Sequence, residues 1–218
     1  MKKETKTRFY LIRHGETQWN KEGRYQGMTD IPLSEQGLAQ ADLLGKRFHY
    51  LPLDALYVSP LQRAMATAKP IEKETGVKMV VDEHFREIHF GEWEGKSVPQ
   101  LQQEYGETYE KFFENPFLHT FPGEGSFDKV MERSVAEFEH LLQKHKGEHV
   151  AIVSHGGLLR VMLVGILGMD LPFYRKTWLT NTSITVVDVM ENGKRILMTL
   201  NDKAHLELAD LWKKENEK

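Results

Sequence analysis

The sequence contains no cysteine. That single absence excludes disulfides, zinc thiolate centres and thiol nucleophiles together, and it fits a reducing compartment. Long hydrophobic runs are missing as well. The first apolar run, Phe9 to Ile12, ends at Arg13 and follows a charged opening, Met1-Lys2-Lys3-Glu4-Thr5-Lys6, which is not the pattern of a secretory signal. The longest later stretch, around Leu158 to Leu167, carries Arg160 and is shorter than a bilayer crossing requires. The expectation is a cytoplasmic protein with no membrane partner. Basic excess is also lacking: 29 Lys and Arg stand against 32 Asp and Glu, for a formal net charge of −3. Such a mixed surface does not match the one-sided positive face that binds a nucleic-acid backbone. Internal repeats, low-complexity tracts and linkers are absent too.

What is present is a globular chain of 218 residues, 40% hydrophobic and 28% charged. This length suits one α/β domain, 1–218, with a modest insertion, and buries enough surface to need no metal or disulfide in its core. Phe9-Tyr10-Leu11-Ile12 reads as a buried strand, followed by a polar loop from Arg13 to about Asp30. Ser34 caps a helix running to about Tyr50, and Ala55 to Val58 is a second strand. Ser59-Pro60 reads as a helix cap with proline in the first turn, opening a helix that carries Arg63. Lys78 to Val81 is a third strand. Between Glu87 and Pro122 the pattern breaks into short helical pieces, which predicts a helical cover at about 88–125. Ser126 caps a longer helix with an apolar stripe. Val150 to Val153, Thr182 to Val189 and Arg195 to Leu200 complete the strands. Strands alternating with helices predict a three-layer α/β sandwich around a mostly parallel sheet. In such sheets ligands bind beyond the carboxyl ends of the strands.

Two histidine-glycine loops leave strands in that way, Arg13-His14-Gly15-Glu16 and Ser154-His155-Gly156-Gly157. Arg63 follows another strand, and Glu87 opens the looser segment. Arginine meets two phosphate oxygens with one planar fork, histidine can serve as a nucleophile, and a carboxyl group can protonate a leaving oxygen. Glycine beside each histidine allows close backbone approach to a phosphate. The set suits phosphoryl transfer without demanding it.

Arg13-His14-Gly15-Glu16-Thr17-Gln18-Trp19-Asn20, continuing through Tyr25 to Ser34, resembles the signature of the histidine phosphatase, or phosphoglycerate-mutase-like, superfamily. Ser59-Pro60-Leu61-Gln62-Arg63-Ala64 with Thr67-Ala68 is similar to its second motif. Arg86-Glu87-Ile88 with Phe90 to Gly95 resembles the third, and Val153 to Gly157 the fourth. Asn181 to Ile184 and Asn201-Asp202 with His205-Leu206 resemble its late segments. The resemblance implies His14 as nucleophile and Arg13, Arg63 and His155 as holders of the phosphoryl oxygens. It implies Glu87 as general acid and then base, and Asn20, Gln26, Thr17 and the Gly156 amide as contacts to phosphate or substrate. It implies no metal and no other cofactor. Trp93 and the pair Phe112-Phe113 read as core, and His84, His89, His119 and His205 as surface or loop residues.

Within the superfamily, mutases shift phosphate within phosphoglycerate and phosphatases release it to water. Between Glu87 and Lys129 the chain has eight acidic residues, two lysines and no arginine. That cover predicts a phosphatase over a cofactor-dependent mutase, or over a silent binding module of the same fold. The motif from Phe90 to Gly95 resembles broad-specificity and α-ribazole-phosphate phosphatases, and the aromatic, acidic cover predicts a monophosphate of a ring-bearing or apolar alcohol. One departure stands out: Pro122-Gly123-Glu124-Gly125-Ser126 replaces the family's Pro-Gly-Gly-Glu-Ser, which puts any substrate contact there in doubt. Neither the natural substrate nor the oligomeric state is legible.

Overall fold

The computed structural model describes residues 6–209; the charged opening residues Met1 to Thr5 lie outside them. Six strands form one sheet: β1 (Lys6–Arg13), β2 (Ala55–Val58), β3 (Met79–Val81), β4 (His149–Ser154), β5 (Ile184–Met190) and β6 (Arg195–Asp202). Their spatial order is β3-β2-β4-β1-β5-β6. The first four of these neighbours pair in parallel, and β5 and β6 continue antiparallel from β1. The mostly parallel sheet predicted above is therefore present. Val150, Ala151, Ile152 and Val153 on β4 are fully buried, as an uninterrupted apolar strand must be when both faces are covered.

Helix α1 (Gln18–Lys21) sits in the loop after β1. Helices α2 (Glu35–Phe48) and α3 (Gln62–Thr75) cover one face, packed closely where Gly45 meets Pro70: a Cβ on Gly45 would lie 2.6 Å from the Pro70 ring. Ser34 caps α2 as expected, accepting from the Gly37 amide. The Ser59-Pro60 cap is a correction. Helix α3 begins at Gln62 after Leu61, without a side-chain cap. The Ser59 hydroxyl is committed elsewhere, to the site described below.

The opposite face carries α6 (Phe127–Lys144), capped by Ser126, and α7 (Gly156–Leu167). Above the strand ends lie α4 (Val98–Tyr105), α5 (Glu107–Glu114) and the short α8 (Phe173–Lys176). Trp93 is fully buried among Tyr109, Phe112 and Phe121, and these rings join the same apolar core as β1, β4, α6 and α7. The Glu124-Gly125 interchange also has a structural reading. The Glu124 carboxylate pairs with Arg133 at 2.6 Å and accepts from the His89 amide. Both flanking glycines, Gly123 and Gly125, take positive φ that a side chain would strain.

Candidate active site

Parallel register sets the site. Arg13 lies opposite Ser154 and Val58 opposite Val153, so β1, β2 and β4 end side by side. The His14 amide donates to the Ser154 carbonyl (2.8 Å), and the Ser59 amide to that of Val153 (3.0 Å). His14, Ser59 and His155 thus leave the sheet at one level, and the two imidazole centroids are 5.1 Å apart. Behind them Thr182, a β-branched residue, is held at φ 57° while its amide donates to the Arg13 carbonyl. Such a conformation costs about 1–3 kcal/mol and persists only where surrounding structure imposes it.

The hydrogen bonds assign the protons. His14 Nδ1 lies 2.6 Å from the Gly15 carbonyl, which can only accept, so Nδ1 carries hydrogen and Nε2 presents a lone pair. Arg63 Nε donates to His155 Nδ1 at 3.2 Å, so that nitrogen is bare, and His155 Nε2 donates to Ser59 Oγ at 2.7 Å. Burial, then the charges of Arg63 and Arg13, hold His14 well below the ordinary histidine range. His155 is pushed the same way, by burial first and Arg63 next. Both rings are therefore neutral at pH 7.

Arg63 is fully buried on the first turn of α3, and its Nη atoms donate to the carbonyls of Thr29 (2.9 Å) and Gly27 (2.7 Å). Three of its five N–H groups are thus fixed, and two are left for a ligand. Arg13 donates to the Leu179 carbonyl at 2.6 Å, while its buried Nε has no partner among the described residues. A buried, unpaired guanidinium N–H is costly and marks a place for an anion. Burial lowers both guanidinium pKa values to about 10, which leaves both charged at neutral pH.

Glu87 accepts from the amides of Leu158 (2.9 Å) and Gly157 (3.2 Å) in the first turn of α7, and from Ile88 (3.0 Å). Its backbone carbonyl also accepts from Arg133, the partner of Glu124.

Of the residues singled out by sequence, Arg13, His14, Asn20, Gln26, Arg63, Glu87 and Gly156 line one cavity of about 730 Å³. Thr17 and His155 do not. Thr17 caps α1 and donates to Gln26 Oε1 at 2.9 Å, so it supports a lining residue from behind. His205 is buried and meets Thr182 Oγ1 at 3.2 Å, one layer below the site. Gly15 has a different role from the one expected. A Cβ there would lie 2.7 Å from the Gly37 carbonyl, so its bareness admits helix α2 rather than a phosphate.

Sequence reasoning missed several residues. Ser59 orients His155 but was read as a cap. Asn181 donates to the His14 carbonyl (3.0 Å) and to Asn20 Oδ1 (3.2 Å). Phe112 is buried in the core as expected and also borders the cavity, whereas Phe113, expected in the core, is half exposed and lines it. Neighbours on a helix point about 100° apart, so an adjacent pair could not both face one core; that was the available signal. None of the eight cover acids lines the cavity, whereas Arg24, Arg160, Arg175 and Lys176 do. The acidic-wall expectation is therefore reversed. Four of those carboxylates are engaged elsewhere: Glu94 by the amides of Met28, Thr29 and Phe90, Glu104 by Lys96, Glu107 by Lys111 and Glu124 by Arg133.

The sequence profile of the histidine phosphatase superfamily (branch 1) matches residues 9–203. Phosphoserine phosphatase 1 of Hydrogenobacter thermophilus is 34% identical over 196 residues, 90% of this chain and 92% of that protein. A crystal structure of phosphoserine phosphatase from Entamoeba histolytica in complex with 3-phosphoglyceric acid superposes with a TM-score of 0.83 at 32% identity, covering 92% of this chain and 99% of that one. Bacillus stearothermophilus YhfR superposes at 0.84 with 34% identity, covering 91% and 98%. The chain belongs to the histidine phosphatase superfamily. Within it, the activity is phosphoric monoester hydrolysis on a small molecule.

Proposed function

We propose that hydrolysis proceeds in two steps through a phosphohistidine on His14. The lone pair of His14 Nε2 attacks phosphorus and the bond to the alcohol oxygen breaks. Glu87 gives that oxygen a proton, so the alcohol leaves neutral. Water then attacks the phosphoryl group, Glu87 takes its proton, the P–N bond breaks and orthophosphate leaves. Arg13 and Arg63 carry the charge on the phosphoryl oxygens, with Asn20, Gln26 and the Gly156 amide around them. His155 accepts from Arg63 Nε and so orients that guanidinium toward the phosphoryl oxygens. This charge is supplied by side chains, so the reading needs no metal. The segment 88–125 acts as a cover on a single domain, and the enzyme works in the cytoplasm.

The observation that carries this reading is a neutral, buried His14 with a free Nε2 beside Arg13 and the buried Arg63, two arginines with no ion pair among the described residues. The test is p-nitrophenyl phosphate and, separately, 3-phosphoglycerate, given to the wild type and to His14→Ala. Orthophosphate release that disappears in the variant supports the proposal. Interconversion to 2-phosphoglycerate without release indicates a mutase, and inertness toward both indicates a binding module. Normal turnover by His14→Ala overturns the mechanism.

A further inference from the structure

Glu87 must stand at one place to protonate a leaving oxygen, yet the chain gives it no helix or strand to stand on. Residues 86–90 lie outside regular secondary structure, between the single 3₁₀ turn Glu83–Phe85 and the cover. Three amides, of Ile88, Gly157 and Leu158, hold the carboxylate. The backbone that carries it needs partners of its own, because a loop has no ladder to supply them.

Arg133, in the second turn of α6, is such a partner. Its side chain is 12% exposed and that of Glu124, which it pairs with, is 10% exposed. Nε donates to Glu124 Oε1 at 2.6 Å and Nη2 to Oε2 at 3.2 Å, the two-point geometry that binds a carboxylate best. Nη1 donates to the His84 carbonyl (2.5 Å), and Nη2 also to the Glu87 carbonyl (3.3 Å). Four of its five N–H groups are thus engaged. Glu124 completes the clasp. Its carboxylate accepts from the His89 amide at 3.2 Å, and its own amide donates to the His89 carbonyl at 2.8 Å. The approach is close: a Cβ on the adjoining Gly123 would lie 2.3 Å from that carbonyl. Burial pushes the Glu124 carboxyl up, but the hydrogen bonds and charge of Arg133 more than offset it, so the group stays below the ordinary carboxylate range.

We propose that Arg133 is a positioning residue for the general acid: with Glu124 it clasps the backbone on either side of Glu87 and so fixes where the carboxyl group meets the leaving oxygen. This rests on the reading of Glu87 as general acid and adds what holds it in place. Neither Arg133 nor Glu124 lines the cavity, so the clasp reaches the reaction through Glu87. Its effect grows with the need for a proton. A p-nitrophenolate departs readily without one, whereas an alkoxide does not. A shift of about 1 Å in a catalytic group can cost about 10²-fold in rate.

The experiment compares kcat/KM on p-nitrophenyl phosphate with kcat/KM on the best alkyl substrate among phosphoserine, 3-phosphoglycerate and glycerol 3-phosphate. That constant covers the steps up to departure of the alcohol. The ratio of the two values does not depend on how much of a variant is folded, so a merely structural loss leaves it unmoved. Arg133→Met should lower the alkyl value roughly 10- to 100-fold relative to the p-nitrophenyl value. Arg133→Lys, which keeps the charge without the fork, should recover part of that. Glu124→Gln should move the ratio the same way by less, and it decides the matter if Arg133→Met does not fold. In a Glu87→Gln background, Arg133→Met should leave the ratio where Glu87→Gln alone puts it. Equal loss on both esters, or a further fall in the Glu87→Gln background, overturns the positioning role and leaves the phosphatase reading standing. A ratio unmoved by Glu87→Gln itself sinks the assignment of the acid, and the clasp with it.

Discussion

Acid should destabilise the free enzyme through three buried histidines, and an anion should relieve most of the effect. His14 and His155 are pushed well below 6.5 by burial and by Arg63 and Arg13, and burial brings His205 down to about 4. In the unfolded chain each returns to about 6.5. Below that pH the unfolded state binds protons that the folded state refuses, so the stability these groups contribute is full above 6.5 and is lost as pH falls. From pH 7 to 5.5 the loss is on the order of 1 kcal/mol for each ring and a few kcal/mol for the three together. With a urea m-value of roughly 2–3 kcal/mol/M, the midpoint should fall by about 1.5 M. Urea titrations at half-unit pH steps measure this, and His14→Ala, His155→Ala and His205→Ala should each remove about a third of the slope. Sulfate, dianionic throughout the range, should flatten the part due to His14 and His155 by offsetting the two arginines, and should leave the part due to His205. A flat profile in the wild type, or a slope untouched by both sulfate and the substitutions, refutes the assigned neutral rings.

Three further outcomes follow from the contacts around the site. Glu87→Gln should lower kcat by roughly 10²–10⁴-fold on alkyl phosphates and much less on p-nitrophenyl phosphate, whose leaving group needs little protonation; steady-state kinetics on both classes checks this. Gly157→Ala places a Cβ 2.9 Å from Glu87 Oε1 and 3.0 Å from Ile88 Cδ1, so it should cut kcat tenfold or more, with circular dichroism unchanged. Ser59→Ala removes the acceptor of His155 Nε2–H and should cost about 1–3 kcal/mol in chemical denaturation, together with a lower kcat.

The fold was legible because the signals that set it are local. An unbroken apolar run such as Val150 to Val153 has few options, and Ser34 and Ser126 announce their helices. That His14, Arg13 and Arg63 share one cavity was legible because motifs keep them at strand ends, where parallel register brings residues 14, 59 and 155 to one level. The far wall was not legible. Arg160 and Trp178 meet only when α7 and the chain after α8 pack together, and no periodicity encodes that meeting. Counting charges between residues 87 and 129 misled because sequence position does not give direction. The cover acids stay out of the cavity, which takes its charge from β1 and the loop after it, α3, α7 and α8.

The choice of arginine at 13 and 63 follows from the same burial that tunes the histidines. A site that neutralises imidazole penalises every cation in it, since desolvation acts on charge of either kind. Histidine needs that penalty, because a protonated ring has no lone pair for phosphorus. A phosphate holder must resist it. Guanidinium begins at 12.5 and is brought only to about 10 at these positions, so it keeps its charge at neutral pH. A lysine given an equal displacement from its usual 10.5 would fall to about 8 and shed part of its charge as the medium turned alkaline. One dry pocket can therefore hold a neutral nucleophile and two permanent cations together only if those cations are arginines.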